Sequence, residues 1–589
     1  MKHALSSVIL LCLSAIAYAN PIDEEGARQV AEKFYRQAMN HSYGSQLLGR
    51  ANTRLDLQLA YKPQSGTISE SSAPEYYVYT TADSVGFVIV AGDDTVEPVI
   101  GYSLDGTFST HQLPPALNFY LDSYRRYIRD VRTKDIVPKI KRNQSISPVE
   151  PFIHTQWNQN YPYNTYTPTL FGQRTLVGCV AIATAQIMRY YKWPVAGHGT
   201  CYATLDDGYE TVVSRTLGEV YEWDKMGYYY SEAVGKLVRD VGYACSVCYG
   251  TSETWAYNIS ALKALLRNFD YSPQMQLVDR RYYSSSGWHD ILSTEMQEGR
   301  PVYICGQDTD ITTGGQGGHA FVCCGLDSNG YFYINWGWGG SCDGYFNIDV
   351  LAPYDYYNYS SEQEAIINIK PIEEGEDPNN HTQIPHVGGT ELEADFSDAP
   401  VPTLDYRIYV TNTSDQTIAG TVGYSVYQNN KELSAGVREM SYYDEIQPGW
   451  YWWWDQYITL DDIGEITDGI REIRFMWKPD GSNEWHTPLG ENNIIYVETI
   501  EGEHYFDTVK PDYIPDNIDD IASDDLDVRT RDNGIYLTAS ADMAVNIYSI
   551  NGILKRTVSL QANARQIILL PQGIYVVNGK RVVVQQMSF

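Results

Sequence analysis

Two short segments hold the residue types that covalent catalysis needs. Leu176-Val-Gly-Cys-Val-Ala-Ile-Ala-Thr-Ala-Gln-Ile-Met188 sets Cys179 directly after a glycine. Gly317-Gly-His-Ala-Phe-Val322 sets His319 after two glycines, 140 positions further on. A thiolate is a strong nucleophile, and an imidazole beside it can take its proton and return it to a leaving group. Singly, each residue has a plainer reading. A free cysteine is often just a small buried side chain, and a histidine beside a glycine loop is often structural. Together they point to acyl chemistry through a thioester.

The elements around them suit that chemistry. Val180, Ala183, Thr184, Ile187 and Tyr191 recur as the stripe of a helix that Pro194 ends, with Trp193 pushed toward an extended conformation. Cys179 then opens the helix, where unpaired N–H groups and the dipole favour negative charge, so a depressed thiol pKa is expected. Gly178 is expected to leave the approach to the sulfur clear. Ala320-Phe-Val-Cys-Cys324 and Tyr331-Phe-Tyr-Ile-Asn-Trp336 flank the turn Asp327-Ser-Asn-Gly330, which predicts an antiparallel hairpin. Asn335 and Trp336, at its far end, can flank the imidazole, the orienting role that a general base requires.

These residues resemble the streptopain family of secreted bacterial cysteine peptidases. The resemblance rests on Gly178-Cys179-Val-Ala-Ile-Ala-Thr-Ala-Gln-Ile-Met, Gly318-His319-Ala-Phe-Val and Asn335-Trp-Gly-Trp-Gly-Gly, and extends to Trp157-Asn-Gln-Asn-Tyr-Pro-Tyr-Asn164. It spans residues 22–371, and the Cys-to-His spacing falls within the roughly 130–150 positions of papain-like enzymes. It implies Cys179 as nucleophile, His319 as general base, Trp336 with Asn335 as support of the imidazole, and Gln159 as the oxyanion-hole side chain, with Gln156 a nearby competitor. Tyr249-Gly-Thr-Ser-Glu253 falls where the family places a wall of its substrate cleft, which makes Ser252 and Gly318 candidate substrate contacts. The chain lacks the Cys-Gly-Ser-Cys-Trp sequence of papain itself and carries more cysteines than the family pattern.

Composition excludes several classes. The net charge is −32, from 42 basic and 74 acidic residues, which disfavours nucleic acid and anionic membranes as partners. Lys2-His3, the apolar stretch Ala4–Ile16 and Ala17-Tyr-Ala19 read as a signal peptide, and no later apolar run approaches the roughly 20 residues of a membrane span. Export makes the cysteines other than Cys179 (Cys201, Cys245, Cys248, Cys305, Cys323, Cys324 and Cys342) candidates for disulfides, with at least one left over. Cys245-Ser-Val-Cys248 has metal-ligand spacing but lacks a second such pair, so neither metal nor cofactor is expected.

The expected fold class is α+β: a papain-like unit of two subdomains, cysteine on a helix and histidine on a sheet. A small α+β prodomain precedes it and two β-sandwich-like domains follow. The boundaries are 1–19 for the signal peptide, 20–141 for an inhibitory prodomain, 142–371 for the catalytic unit, 381–515 for an Ig-like sandwich and 523–589 for a C-terminal sorting domain. The prodomain shows an amphipathic helix at 24–40, strands at 55–61, 76–80 and 86–91, and a second helix from Pro114 to Ile128. A Lys-rich junction, Val137-Pro-Lys-Ile-Lys-Arg-Asn-Gln144, is the expected site of self-cleavage, at Lys141–Arg142. Gly449-Trp-Tyr-Trp-Trp-Trp454 is expected to be partly core, with stacking on a sugar or a protein partner the alternative. Val545-Asn-Ile-Tyr-Ser-Ile-Asn-Gly552 and Leu570-Pro-Gln-Gly-Ile-Tyr-Val-Val577 resemble the sorting domain of type IX secretion cargo, which implies that machinery as a partner and a final place outside the cell or on its surface.

A secreted cysteine endopeptidase made as a self-processing zymogen fits these features together. Its expected partners are protein or peptide substrates and its own prodomain as inhibitor. Two other classes stay open: a Cys–His acyltransferase or amidase on the same fold, and a host-surface adhesin whose peptidase domain is vestigial.

Overall fold

The computed structural model describes residues 21–584, except 44–55, 64–72, 110–112, 134–145, 284, 308–317, 349–362, 378–383, 396–402, 460–468, 508–525 and several short turns beyond residue 428. The signal segment, the expected cleavage site and most of the glycine loop before His319 lie outside the described residues.

The N-terminal unit follows the periodicity of its sequence. Helix α1 (Glu24–Tyr43) is followed by a meander of β1 (Leu57–Tyr61), β2 (Tyr76–Thr81), β3 (Phe87–Ala91) and β4 (Val99–Ser103), then by helix α2 (Pro115–Thr133). Ala27, Ala31 and Tyr35 of α1 meet Tyr77, Tyr79, Val88 and Val90 on one face of the meander. Leu117, Tyr120, Leu121 and Tyr124 of α2 meet Tyr76, Val78, Phe87 and Ile89 on the other. Alternation along each strand therefore serves two helices at once.

The catalytic region contributes helix α3 (Cys179–Tyr191), which follows a short hairpin of β5 (Thr169–Leu170) and β6 (Gln173–Arg174). After it come β7 (Thr200–Leu205), β8 (Val212–Thr216), α4 (Glu232–Ala244), β9 (Cys248–Tyr249) and α5 (Asn258–Asn268). Then follow β10 (Gln276–Asp279), α6 (Ser285–Gln297), β11 (Val302–Gln307), β12 (Gly318–Leu326), β13 (Phe332–Asn335), β14 (Gly344–Phe346) and β15 (Gln363–Ile367). The two units share one 10-stranded sheet in the order β1-β2-β3-β4-β14-β13-β12-β11-β15-β10. The seam pairs Tyr345 with Tyr102 and Phe346 with Gly101. Gly101 must be glycine there, because a Cβ would sit 2.5 Å from the Phe346 ring. Helices α3, α4 and α5 pack on the face carrying Ala320, Val322 and Cys324 of β12. Helices α2 and α6 pack on the face carrying Phe321 and Cys323.

Beyond residue 384 the described chain is all β. Strands His386–Asp395, Thr403–Thr411 and Tyr451–Thr459 form a three-stranded sheet. It shares a core with the sheet around Ile418–Gln428 and Gly469–Pro479, through Ile408, Val410, Val422, Phe475 and Trp477. A further pair of sheets from residue 526 onward packs through Ile535, Leu537, Val545 and Ile547. The aromatic run departs from expectation. Trp450, Tyr451, Trp452, Trp453 and Trp454 are 45–61% exposed, and Tyr451–Trp454 lie on a strand at the edge of its sheet. The cysteines also depart from it: all eight from Cys179 to Cys342 are reduced and buried.

Candidate active site

Cys179 is the first residue of α3, and Gly178 before it has φ +92°. A Cβ on Gly178 would also lie 2.8 Å from Thr254 Cγ2, so glycine is required both by the backbone and by the turn pressed against it. This differs from the expected reason, a clear approach to the sulfur. The thiol is buried among apolar neighbours, and the backbone N–H of Ala320 in β12 is near enough to favour its charged form. Burial pushes the Cys179 thiol above its ordinary value, and the N–H groups of Ala320, Val180 and Cys179 itself only partly offset this. The depressed pKa expected from the helix start is therefore not reached in this state.

Gln159 is buried and its carbonyl accepts the N–H of Val177 at 3.1 Å, two residues before the thiol. Its own N–H donates to Asn158 Oδ1 at 2.7 Å. Gln156 is exposed and lies against Gly340, on the turn that follows Trp336. Of the two glutamines, Gln159 is thus the one tied to the cysteine segment.

His319 sits one residue into β12, paired with Gly306 of β11 in an unbroken register that runs from Gly318 to Cys323. Alternation puts His319 in phase with Phe321 and Cys323, and Ala320 on the face that carries Cys179. Burial alone brings the His319 imidazole down to about 4, so it is neutral at ordinary pH. Trp336 belongs to the same face, its ring centroid 4.9 Å from that of Phe321. Its indole N–H donates to the Cys342 carbonyl at 3.0 Å and its backbone N–H to Asp343 Oδ1 at 2.9 Å.

Asn335 is on the cysteine side, buried, with its amide in use. Its Nδ2 donates to the Thr155 carbonyl at 2.7 Å, and its Oδ1 accepts Gln186 Nε2 at 3.2 Å and the Gly337 N–H at 3.0 Å. Thr155 Oγ1 closes the network by donating to Gln186 Oε1 at 2.6 Å. The structure thus brings Cys179, Gln159 and Asn335 together around α3, while Trp336 lies on the other face of the sheet, the face with which His319 is in phase along β12. Gln186 and Asp343 are two positioning groups that sequence reasoning missed. The helix stripe treats Gln186 as one polar residue among apolar ones, and Asp343 follows its glycine turn with no pattern of its own. Gly318 is exposed at the open end of β12, and Ser252 is exposed on the turn that touches Gly178.

A cysteine at a helix start, a buried glutamine tied beside it and a histidine-bearing strand packed against that helix make up a papain-like arrangement. Residues 157–346 match the Peptidase C10 family, and residues 19–128 match the Spi protease inhibitor family. The chain carries a Peptidase C10 domain behind an inhibitor-like prodomain and is a cysteine endopeptidase of the streptopain type. It is 28% identical over 544 residues to the thiol protease/hemagglutinin PrtT of Porphyromonas gingivalis, covering 84% of this chain and 58% of that one. It is 28% identical to streptopain of Streptococcus pyogenes over 405 residues, covering 63% of this chain and 99% of that one. A solved fragment of Prevotella intermedia prointerpain A aligns at 27% identity and a TM-score of 0.46, covering 54% of this chain and all of the fragment. The chain spans just under three fifths of PrtT and nearly the whole of streptopain.

Proposed function

We propose that the chain is an exported zymogen in which Cys179 is the nucleophile, His319 the general base and acid, and Gln159 with the Cys179 N–H the oxyanion donors. The Cys179 sulfur attacks the scissile carbonyl as its proton passes to His319. The developing oxyanion is held by the Gln159 amide and the N–H at the start of α3. His319 gives its proton to the departing amine, leaving a thioester. Water, deprotonated by His319, then attacks the thioester, and the carboxylate leaves as the thiol is restored. Each oxyanion donor of this kind contributes roughly 10²–10³ in rate. The observation that carries the reading is the tie from Gln159 to Val177 beside a thiol that already contacts β12 next to His319.

Latency follows from the same geometry. His319 is in phase along β12 with Phe321, on whose face the prodomain helix α2 packs, so in this scheme the imidazole moves toward the α3 side before it meets the thiol. Loss of the prodomain, by cleavage at Lys141–Arg142, opens the seam along β4 and β14 and permits that movement. The apolar N-terminal stretch supports a signal peptide, and the motifs at 545–552 and 570–577 support a type IX sorting domain over 523–589 that is absent from the working enzyme. Mass spectrometry of the proform under mild reductant, beside a Cys179→Ala chain, tests the scheme. Loss of the prodomain from the wild type alone is expected. Equal processing of both chains would remove Cys179 from the mechanism.

The exposed tryptophan ridge favours a second, additional role in binding cell-surface carbohydrate. PrtT is a hemagglutinin by name as well as a protease, and its alignment covers most of this chain. Agglutination of erythrocytes by the Cys179→Ala chain, lost on Trp452→Ala/Trp454→Ala, is the expected result. Unchanged agglutination would discard this role.

A further inference from the structure

The turn between β9 and Trp255 is bolted to the segment that leads into the nucleophile. Leu176 N–H donates to the Gly250 carbonyl at 2.9 Å, and Thr254 Oγ1 donates to the Leu176 carbonyl at 3.0 Å. Gly250 N–H donates to Thr254 Oγ1 at 3.1 Å, and Cys248 and Trp255 exchange both backbone hydrogen bonds across the base of the turn. Thr254 is buried against Gly178. The residue before Thr254, Glu253, is exposed on this turn, which presses on Gly178 directly before Cys179. Asp206, also exposed, approaches the same turn at Gly250. Neither carboxylate makes an ion pair among the described residues. Trp255 and Tyr257 follow directly, 48% and 71% exposed, with ring centroids 5.8 Å apart and edge to face.

A rigid turn thus holds an unpaired negative charge at the rim of the nucleophile, with an aromatic shelf next to it. We propose that Glu253 is a specificity-determining residue that receives a lysine or arginine side chain of the substrate beside the scissile bond. The long apolar stem of such a side chain lies along Trp255 and Tyr257 while its cation meets the carboxylate, the division of labour that suits Lys and Arg. Asp206 adds to the local negative field. A substrate of complementary charge occurs in the chain itself, since Lys139-Ile-Lys-Arg142 concentrates three cations at the expected self-cleavage junction. The proposal rests on the assignment of Cys179 as the peptidase nucleophile.

The test uses the matured enzyme and three matched peptides that differ only in Lys, Gln or Glu at one position flanking the cleaved bond, scanned over the two positions on each side. In the wild type, kcat/KM for the Lys peptide is expected to exceed that for Gln by about 5- to 10-fold at one of these positions, and the ratio to fall as salt is raised. Glu253→Gln is expected to bring the Lys/Gln ratio close to one, and Glu253→Lys to turn the Lys/Glu ratio in favour of Glu. A wild type with no such preference, or a preference that survives both substitutions, overturns the proposal while leaving the peptidase assignment intact. Failure to cleave any of the peptides, with no difference from Cys179→Ala, would bring down both.

Discussion

Cys179 lies beside the backbone of Ala320, one residue beyond His319, which alternation puts in phase with the opposite face of the same strand. The pair is adjacent in the fold and separated by the pleat of β12. This relationship explains why the thiol is pushed up and the imidazole pushed down. Each is desolvated without the other, so neither gains the charge stabilisation that a thiolate–imidazolium pair supplies.

An inert thiol in the proform follows. At pH 7 only a few per cent of an ordinary thiol is thiolate, and a buried, raised one holds less. Alkylation of Cys179 by iodoacetamide should be at least about 10-fold faster in the matured enzyme than in the proform. Site-resolved mass spectrometry of the labelled cysteine reads this directly. Equal rates would show that the thiol is already activated before the prodomain leaves.

The imidazole should report the same transition. His319 in the proform titrates near 4, so its neutral form contributes stability above its unfolded value near 6.5, and this is lost as pH falls from there through about 4. On maturation, contact with the thiolate should carry its pKa upward, past its ordinary value. NMR titration of the His319 ring in both forms distinguishes them, and a single unchanged pKa would contradict the proposed movement.

How far the sequence carried these conclusions can be read residue by residue. Cys179 on a helix start and His319 on a strand follow from local periodicity, as do α1, α2 and the strands β1 to β3. The faces of β12 do not, because a short apolar run such as Ala320–Cys324 buries both sides and carries no alternation signal. The seam between β4 and β14 joins segments far apart in the chain, and nothing local marks Gly101 as the partner of Phe346. Asn335 was legible as a strand end but not as the hub of a network with Thr155 and Gln186, which depends on where three distant segments meet. The exposure of the tryptophans is undecided by the sequence for a related reason: an all-aromatic strand reads as core or as a stacking surface until its edge position is known.

The seam between prodomain and catalytic unit should respond to pH. Burial pushes the Asp343 carboxyl up to about 8; the Trp336 N–H opposes this, and the Asp105 carboxylate across the seam adds to it. Its unfolded value is near 4. A carboxyl raised in the folded state contributes stability that is complete below about pH 4 and is lost as pH rises through about 8. The Cys179→Ala proform should therefore melt at progressively lower temperature across that window. Asp343→Asn keeps an acceptor for the Trp336 N–H and should recover on the order of 5 °C at pH 8 relative to pH 5. Parallel melting curves for the two chains would refute it.

A second tie across the seam is the Tyr102 hydroxyl, which donates to Asp327 Oδ2 at 2.8 Å in a buried setting. Tyr102→Phe removes this donor and leaves Asp327 with the N–H groups of Asn329 and Tyr331 and the Asn329 side chain. The loss should cost about 1–3 kcal/mol. Inhibition of the matured enzyme by added prodomain should weaken by roughly 5- to 150-fold. An unchanged inhibition constant would place the energy of the seam elsewhere.

The two amide side chains near Cys179 should separate by their kinetic signatures. Gln159→Ala removes an oxyanion donor and should lower kcat about 10²–10³-fold with KM within a few-fold, while Gln156→Ala changes little. Asn335→Ala leaves the Gln186 amide, the Gly337 N–H and the Thr155 carbonyl without their buried partner, each costing about 1–3 kcal/mol. Its expected effect is therefore a fall in melting temperature of roughly 5–10 °C, with a smaller effect on turnover at low temperature. If Asn335→Ala instead leaves the melting temperature unchanged and shifts the acid limb of the kcat profile, the residue must leave the Thr155–Gln186 network on maturation and orient His319. The movement of the imidazole to the α3 face would then draw Asn335 along with it.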